Sequence, residues 1–218
     1  MELIQIEDFL ASPDPQKRMK GITELRNYEP ELVVPLLSRI INDKEFVVRS
    51  FAVMGLGFKQ TREGFELLIS LLKDELDPNV RAQVASSLSK YGEESFSHLV
   101  GLFERDYNWL VRHSILASID GKKFPEILLK LCSLGIEDND LEVRLASIAT
   151  LSQLQSTSKE AEALELILNQ VNSQNSQIKI QVANILPGFD DHQAKSALLR
   201  LRNDDDYRVV GATLENLL

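Results

Sequence analysis

Asp77-Pro78-Asn79-Val80-Arg81-Ala82 opens a segment in which apolar or small residues fall three, four and seven positions beyond the arginine, at Val84, Ala85 and Leu88. With Val80 at −1, these offsets share one face of an α-helix, because a helix turns once in about 3.6 residues. The figure recurs at Val48-Arg49 with Ala52, Val53 and Leu56, at Val111-Arg112 with Ile115, Leu116 and Ile119, and at Val143-Arg144 with Ser147, Ile148 and Leu151. Positions 49, 81, 112 and 144 are spaced 32, 31 and 32 residues apart. A weaker copy is Ile178-Lys179 with Val182, Ala183 and Leu186. Degenerate copies lie toward the two ends, at Lys17-Arg18 with Gly21, Ile22 and Leu25 and at Val209-Val210 with Thr213, Leu214 and Leu217.

Each unit carries an earlier amphipathic segment, such as Phe65-Glu66-Leu67-Leu68-Ile69-Ser70-Leu71-Leu72 or Ile127-Leu128-Leu129-Lys130-Leu131. A unit of this length holds two helices and two short connections. No segment sustains the alternation of a strand. One helix pair cannot bury its own apolar face, whereas stacked neighbours can. The expectation is an all-α, α-α superhelical solenoid of about seven helix pairs. It forms a single domain over 1–218 with approximate units 1–28, 29–59, 60–91, 92–121, 122–155, 156–188 and 189–218. Acidic turns separate the helices of a pair, at Asp43-Lys44-Glu45, Asp77-Pro78-Asn79, Glu104-Arg105-Asp106, Asp138-Asn139-Asp140 and Asp204-Asp205-Asp206. Asp and Asn there suit helix N-caps, which need acceptors for unpaired backbone N–H groups.

Composition narrows the function. A net charge of −9, with no basic run longer than Lys122-Lys123, disfavours nucleic acid. The single cysteine, Cys132, cannot form an internal disulfide or a multi-cysteine metal site, and fits a reducing compartment. The acidic start, Met1 to Asp8, does not read as a signal peptide, and no apolar stretch has membrane-spanning length. The three histidines stand singly, and no phosphate loop or nucleophile elbow is present. No catalytic or metal-ligating residue is therefore assigned.

The Asp-x-x-Val-Arg-x-x-x-Ala pattern at this period resembles the HEAT-like repeats of phycobilin lyases. The strings Val47-Val48-Arg49-Ser50-Phe51 and Trp109-Leu110-Val111-Arg112-His113-Ser114 look like those of cyanobacterial lyase-related and phycobilisome-degradation proteins. The resemblance covers nearly the whole chain. It implies a cytoplasmic protein, brought to the cytoplasmic face of the thylakoid through its partner.

Arg49, Arg81, Arg112 and Arg144 are read as a structural ladder, each pairing with an acidic turn of its own or the next repeat. The alternative is a row of cations for an anionic ligand. The second-helix positions one, two, five and six beyond each central Arg or Lys carry no charge, although 26% of the chain is charged. In HEAT solenoids these helices line the concave surface, so a neutral face for a protein helix or flat ligand competes with plain helix packing as the explanation. The candidate partner-binding set combines that face with the aromatic turn beside it: Phe51, Met54, Gln83, Tyr107, Trp109, His113 and Ser114. Cys132 lies within an apolar helix and is read as a buried structural thiol. The resulting reading is a non-enzymatic protein-binding scaffold without a cofactor, whose partner the resemblance makes a phycobiliprotein or antenna component. The alternative is a bilin lyase, or one subunit of one, moving phycocyanobilin or a related bilin to or from a phycobiliprotein cysteine.

Overall fold

The computed structural model describes residues 2–215, in which every regular element is helical. The expected position at Leu217 lies outside the described residues. The chain falls into two compact units, Met1–Ser118 and Ile119–Leu218. The first contains four helix pairs: α1 (Leu3–Leu10) with α2 (Pro15–Glu24), α3 (Pro30–Ile40) with α4 (Phe46–Lys59), α5 (Arg62–Asp74) with α6 (Pro78–Ser89), and α7 (Glu93–Arg105) with α8 (Trp109–Ser118). The second contains three: α9 (Pro125–Ile136) with α10 (Leu141–Thr150), α11 (Glu160–Asn169) with α12 (Ser176–Ile185), and α13 (His192–Leu201) with α14 (Tyr207–Glu215). Short 3₁₀ turns at Leu25–Asn27, Leu151–Leu154 and Leu186–Gly188 extend α2, α10 and α12. The seven pairs are those the periodicity called for.

The repeated apolar figure is the core. Val80, Val84, Ala85 and Leu88 have no solvent exposure, and neither do Val48, Ala52, Val53 and Leu56. Each leucine so buried contributes about 1.5–3 kcal/mol. Within the first unit α2, α4, α6 and α8 lie side by side in that order. The α4–α6 approach is close because both helices bring small residues to it. A Cβ on Gly57 would lie 2.6 Å from the Ser87 Cβ, and the Ser87 hydroxyl donates to the Val53 carbonyl at 3.1 Å. The neutral second-helix positions therefore divide. Ser87, Ala82 and Ile185 are buried in packing, while Ser50, Gln83 and Ser86 stay half-exposed and His113, Ala117 and Asn184 are exposed.

A polar ladder ties successive pairs together. A cation sits four residues after the N-cap of every second helix but α14, and a carboxylate sits two residues before the N-cap of α4, α6, α8, α10 and α14. That carboxylate accepts the backbone N–H of its own N-cap residue, as Asp43 does from Glu45 (2.9 Å), Glu75 from Asp77 (2.8 Å), Asp106 from Asn108 (3.0 Å) and Asp204 from Asp206 (3.0 Å). It also takes the cation of the preceding repeat. Arg49 holds Glu75 through Nε (2.7 Å) and Nη2 (2.9 Å). Arg81 holds Asp106 through the same two nitrogens at 2.6 and 3.1 Å. Lys179 reaches Asp204 at 2.5 Å. Arg18 donates from Nη2 to Asp43 at 2.8 Å, and its Nε makes a 2.7 Å ion-pair contact whose N–H is not aligned as a hydrogen bond. The remaining guanidinium nitrogen braces the arginine's own turn, Arg49 donating to the Asp43 carbonyl and Arg81 to that of Leu76, each at 2.8 Å. Planar, bidentate pairing of this kind is what arginine supplies and lysine does not.

Among the described residues, the rung between the fifth and sixth pairs is incomplete. At the acid position of the sixth pair stands Ser173, whose hydroxyl accepts the Asn175 N–H at 3.2 Å. Arg144, the cation of the fifth pair, braces its own turn at the carbonyls of Asp138 (2.7 Å) and Asn139 (3.4 Å). Its Nε is buried without a hydrogen bond.

Asp43, Glu75 and Asp204 are held below their ordinary range. For Asp43 and Glu75 burial opposes ionisation, but the facing arginine and the N-cap N–H outweigh it. For Asp204 the Lys179 hydrogen bond is the main cause. A depressed carboxyl stabilises the fold above its unfolded pKa and loses that contribution as pH falls through the folded value. Stability should therefore be constant near neutrality and decline once pH drops below the ordinary values of 3.8 for Asp and 4.5 for Glu, measured as thermal midpoints across an acid series. Glu75→Gln should flatten part of that decline. Ser173→Asp should supply the missing acid and raise stability by about 1 kcal/mol, a Tm gain of about 2–4 °C. No gain, or an equal gain in an Arg144→Gln background, would remove the incomplete rung as its cause.

Candidate functional site

The seven candidate binding residues lie in the first unit but do not form one patch. Phe51 and Met54, half-buried on α4, share the wall of a mostly apolar cavity of about 120 Å³ between α2 and α4, lined also by Ile22, Leu25 and Leu37. Trp109 and His113 stand one turn apart on α8, with ring centres 6.5 Å apart and planes at 72°. Trp109 is 47% exposed. Ser114, half-buried on the same helix, accepts at its carbonyl from the Ser118 hydroxyl at 2.5 Å. Gln83 spends its amide on Ser87 of its own helix, at 3.4 Å. Tyr107, 89% exposed, lines a different surface, a broad groove of about 970 Å³ between α5 and α7 that includes Ile69, Leu72, His98 and Leu102.

Arg49 and Arg81 are committed to stacking. Arg49 and Arg81 have all three guanidinium nitrogens bonded. Arg112 donates from Nε to the Phe103 carbonyl at 3.0 Å and lies 5.9 Å from the ring centres of both Phe103 and Tyr107. A guanidinium engaged on all sides is a poor receptor for an added anion.

Sequence reasoning missed Phe58, which is 55% exposed at the end of α4 and lines the α2–α4 cavity. Two cations attend its ring, Lys90 at 3.7 Å and Arg26 at 5.7 Å. Burial moves Lys90 below the ordinary lysine pKa. The signal was present: Phe58 and Lys90 each follow their ladder arginine by nine residues (58 − 49 and 90 − 81), placing them at one register on adjacent second helices. That register lies beyond the window of positions one to six that defines the neutral face. Lys59, at the same rim, is tied to the carbonyls of Arg26 (3.0 Å) and Tyr28.

Cys132 is fully buried on α9, and burial pushes its thiol well up. A thiol so placed is a weak nucleophile. Among the described residues no three His, Cys, Asp or Glu side chains gather as a metal site, and no helix is long and apolar enough to cross a membrane.

Stacked helix pairs, a ladder that joins them and an apolar cavity on their second helices define a repeat scaffold. The chain matches the HEAT repeats over residues 33–120 and 126–218 and belongs to that family. No curated protein matches it. Among solved structures it is similar to the complex of CpcE and CpcF of phycocyanin lyase from Nostoc sp. PCC7120, at 17% identity over 100% of this chain and 95% of that one, with a TM-score of 0.52. It is also similar to YibA of Escherichia coli, at 15% identity over 97% and 80% of the two chains with a TM-score of 0.63. An engineered protein shares 15% identity over 100% and 68%, with a TM-score of 0.53. At these identities the likeness establishes the fold.

Native protein should leave Cys132 unreacted with a thiol-specific chromogenic disulfide, and release one equivalent of dye only on unfolding. Rapid labelling of the folded chain would show that α9 opens far more readily than its burial implies.

Proposed function

We propose that this chain is a non-enzymatic protein-binding scaffold whose second-helix surface in the first unit grips a partner. We further propose that the partner is a phycobiliprotein or another phycobilisome component, held during assembly, chaperoning or degradation. The observation that carries the scaffold reading is the α2–α4 cavity. It places half-buried Phe51 and Met54 beside exposed Phe58, while Arg49 and Arg81 are taken up in joining repeats. Aromatic and methionine side chains around an apolar recess are the usual anchors of a protein interface. The antenna context draws on the resemblance of the repeat strings and on the likeness to the CpcE–CpcF complex. On the same ground we propose a location in the cytoplasm of a cyanobacterial cell.

That likeness also favours a second reading, a bilin lyase or one subunit of one, with phycocyanobilin or a related bilin as its cofactor. The two readings separate on colour and on stoichiometry. The scaffold binds a phycobiliprotein without added bilin and transfers nothing. The lyase develops a visible absorbance band with bilin and leaves a bilin–cysteine adduct on the acceptor.

The test is biolayer interferometry of the full chain against purified C-phycocyanin, holo and apo, with and without phycocyanobilin. We expect bilin-independent binding, weakened by about 1–3 kcal/mol in Phe51→Ala and in Trp109→Ala, which is about 5- to 150-fold in Kd. Full-strength binding by both variants would remove this surface as the site. A new adduct on apo-phycocyanin would establish the lyase instead, and no binding in any arm would end the antenna assignment.

A further inference from the structure

The rim of the α2–α4 cavity carries a charge pattern opposite to that of the chain. The protein has 33 acidic and 24 basic side chains, yet Arg26 and Lys59 line this cavity and no Asp or Glu does. Lys59 is tied to two backbone carbonyls. Arg26 and Lys90 are exposed, and among the described residues neither meets a carboxylate. Their partner is the Phe58 ring. Two unmatched cations thus flank an exposed aromatic at the mouth of an apolar recess sized for one side chain.

We infer that the α2–α4 cavity receives a short acidic segment of a partner protein, one apolar side chain entering between Phe51, Met54 and Phe58 while neighbouring Asp or Glu carboxylates pair with Arg26 and Lys90. The inference rests on the scaffold reading and adds the chemistry of what is held. Complementary charge selects this occupant. A basic segment would bring like charge against Arg26 and Lys90, and an uncharged one would leave both cations with only the ring. The apolar anchor supplies the affinity, since an aliphatic or aromatic side chain leaves water for walls already arranged to receive it. The carboxylates set orientation and speed the encounter. Cation–ring contacts hold the two basic side chains near the mouth before the partner arrives.

The experiment selects binders to the full chain from a random short-peptide display library and measures the best peptide by fluorescence anisotropy. The expected consensus is one Leu, Ile or Phe with Asp or Glu near it. Its affinity should fall about tenfold in Arg26→Glu and in Lys90→Glu, and weaken with added salt. Binding should be lost in Met54→Trp, which fills the recess, while a charge-reversed peptide fails to bind. Arg26 and Lys90 lie outside the core, so circular dichroism and thermal midpoints of those variants should match the parent. A basic or uncharged consensus, no enrichment, or an acidic peptide indifferent to all three substitutions would overturn the inference. The outcomes are separable from those for the antenna partner. Selection of the acidic consensus while C-phycocyanin fails to bind would retain the cavity's chemistry and remove the named partner. Binding of C-phycocyanin unaffected by Arg26→Glu and Lys90→Glu would do the reverse.

Discussion

A carboxylate two residues before the N-cap of a second helix does two jobs at once, and the stacking of repeats depends on both. It accepts the N–H of its own N-cap residue and the cation of the preceding pair, as Glu75 does from Asp77 and Arg49. Hydrophobic burial alone would let neighbouring pairs slide, because Leu, Val and Ala faces fit one another in several registers. The ion pair is directional and largely shielded from solvent, so it fixes one register. The arginine's third nitrogen holds its own turn in the shape that presents the helix start. Local turn geometry and inter-repeat registration are thereby one hydrogen-bonded unit.

The helix pairs could be read directly from the residues because one face repeats at a fixed offset from Arg49, Arg81, Arg112 and Arg144. The ladder's partners were less legible. Asp77 and Asp140 sit in acidic turns and look like equal candidates, but both serve as N-caps, accepting from Asn79 and Glu142 at 2.8 Å each. The acid that faces Arg49 is Glu75, two residues earlier. Period and composition do not separate cap from rung, since both roles want a carboxylate in the same turn. Three-dimensional stacking assigns them.

The proposed binding surface shows the same split. Phe51 and Met54 stand out by residue type on an otherwise small and neutral face. Tyr107 and Trp109 are adjacent aromatics near one turn, yet Tyr107 lines the groove between first helices while Trp109 packs toward His113 on α8. Phe58 lies past the helix face that periodicity defines, and its meaning depends on Arg26 and Lys90 from two other repeats. Residues brought together across a stack are the hardest to see in one dimension.

The ladder also runs in one direction, Arg18, Arg49, Arg81 and Lys179 each reaching forward to the next repeat. Ser12 takes the acid's place before α2, and Val210 the cation's place on α14. A unit such as α5–α6 carries an acid, Glu75, for the repeat before it and a base, Arg81, for the repeat after it. Such a unit is self-complementary under tandem copying: duplicated, it closes onto both neighbours without a compensating change, and excised, it leaves flanks that still match. Chain length is then free to drift in whole repeats through evolution.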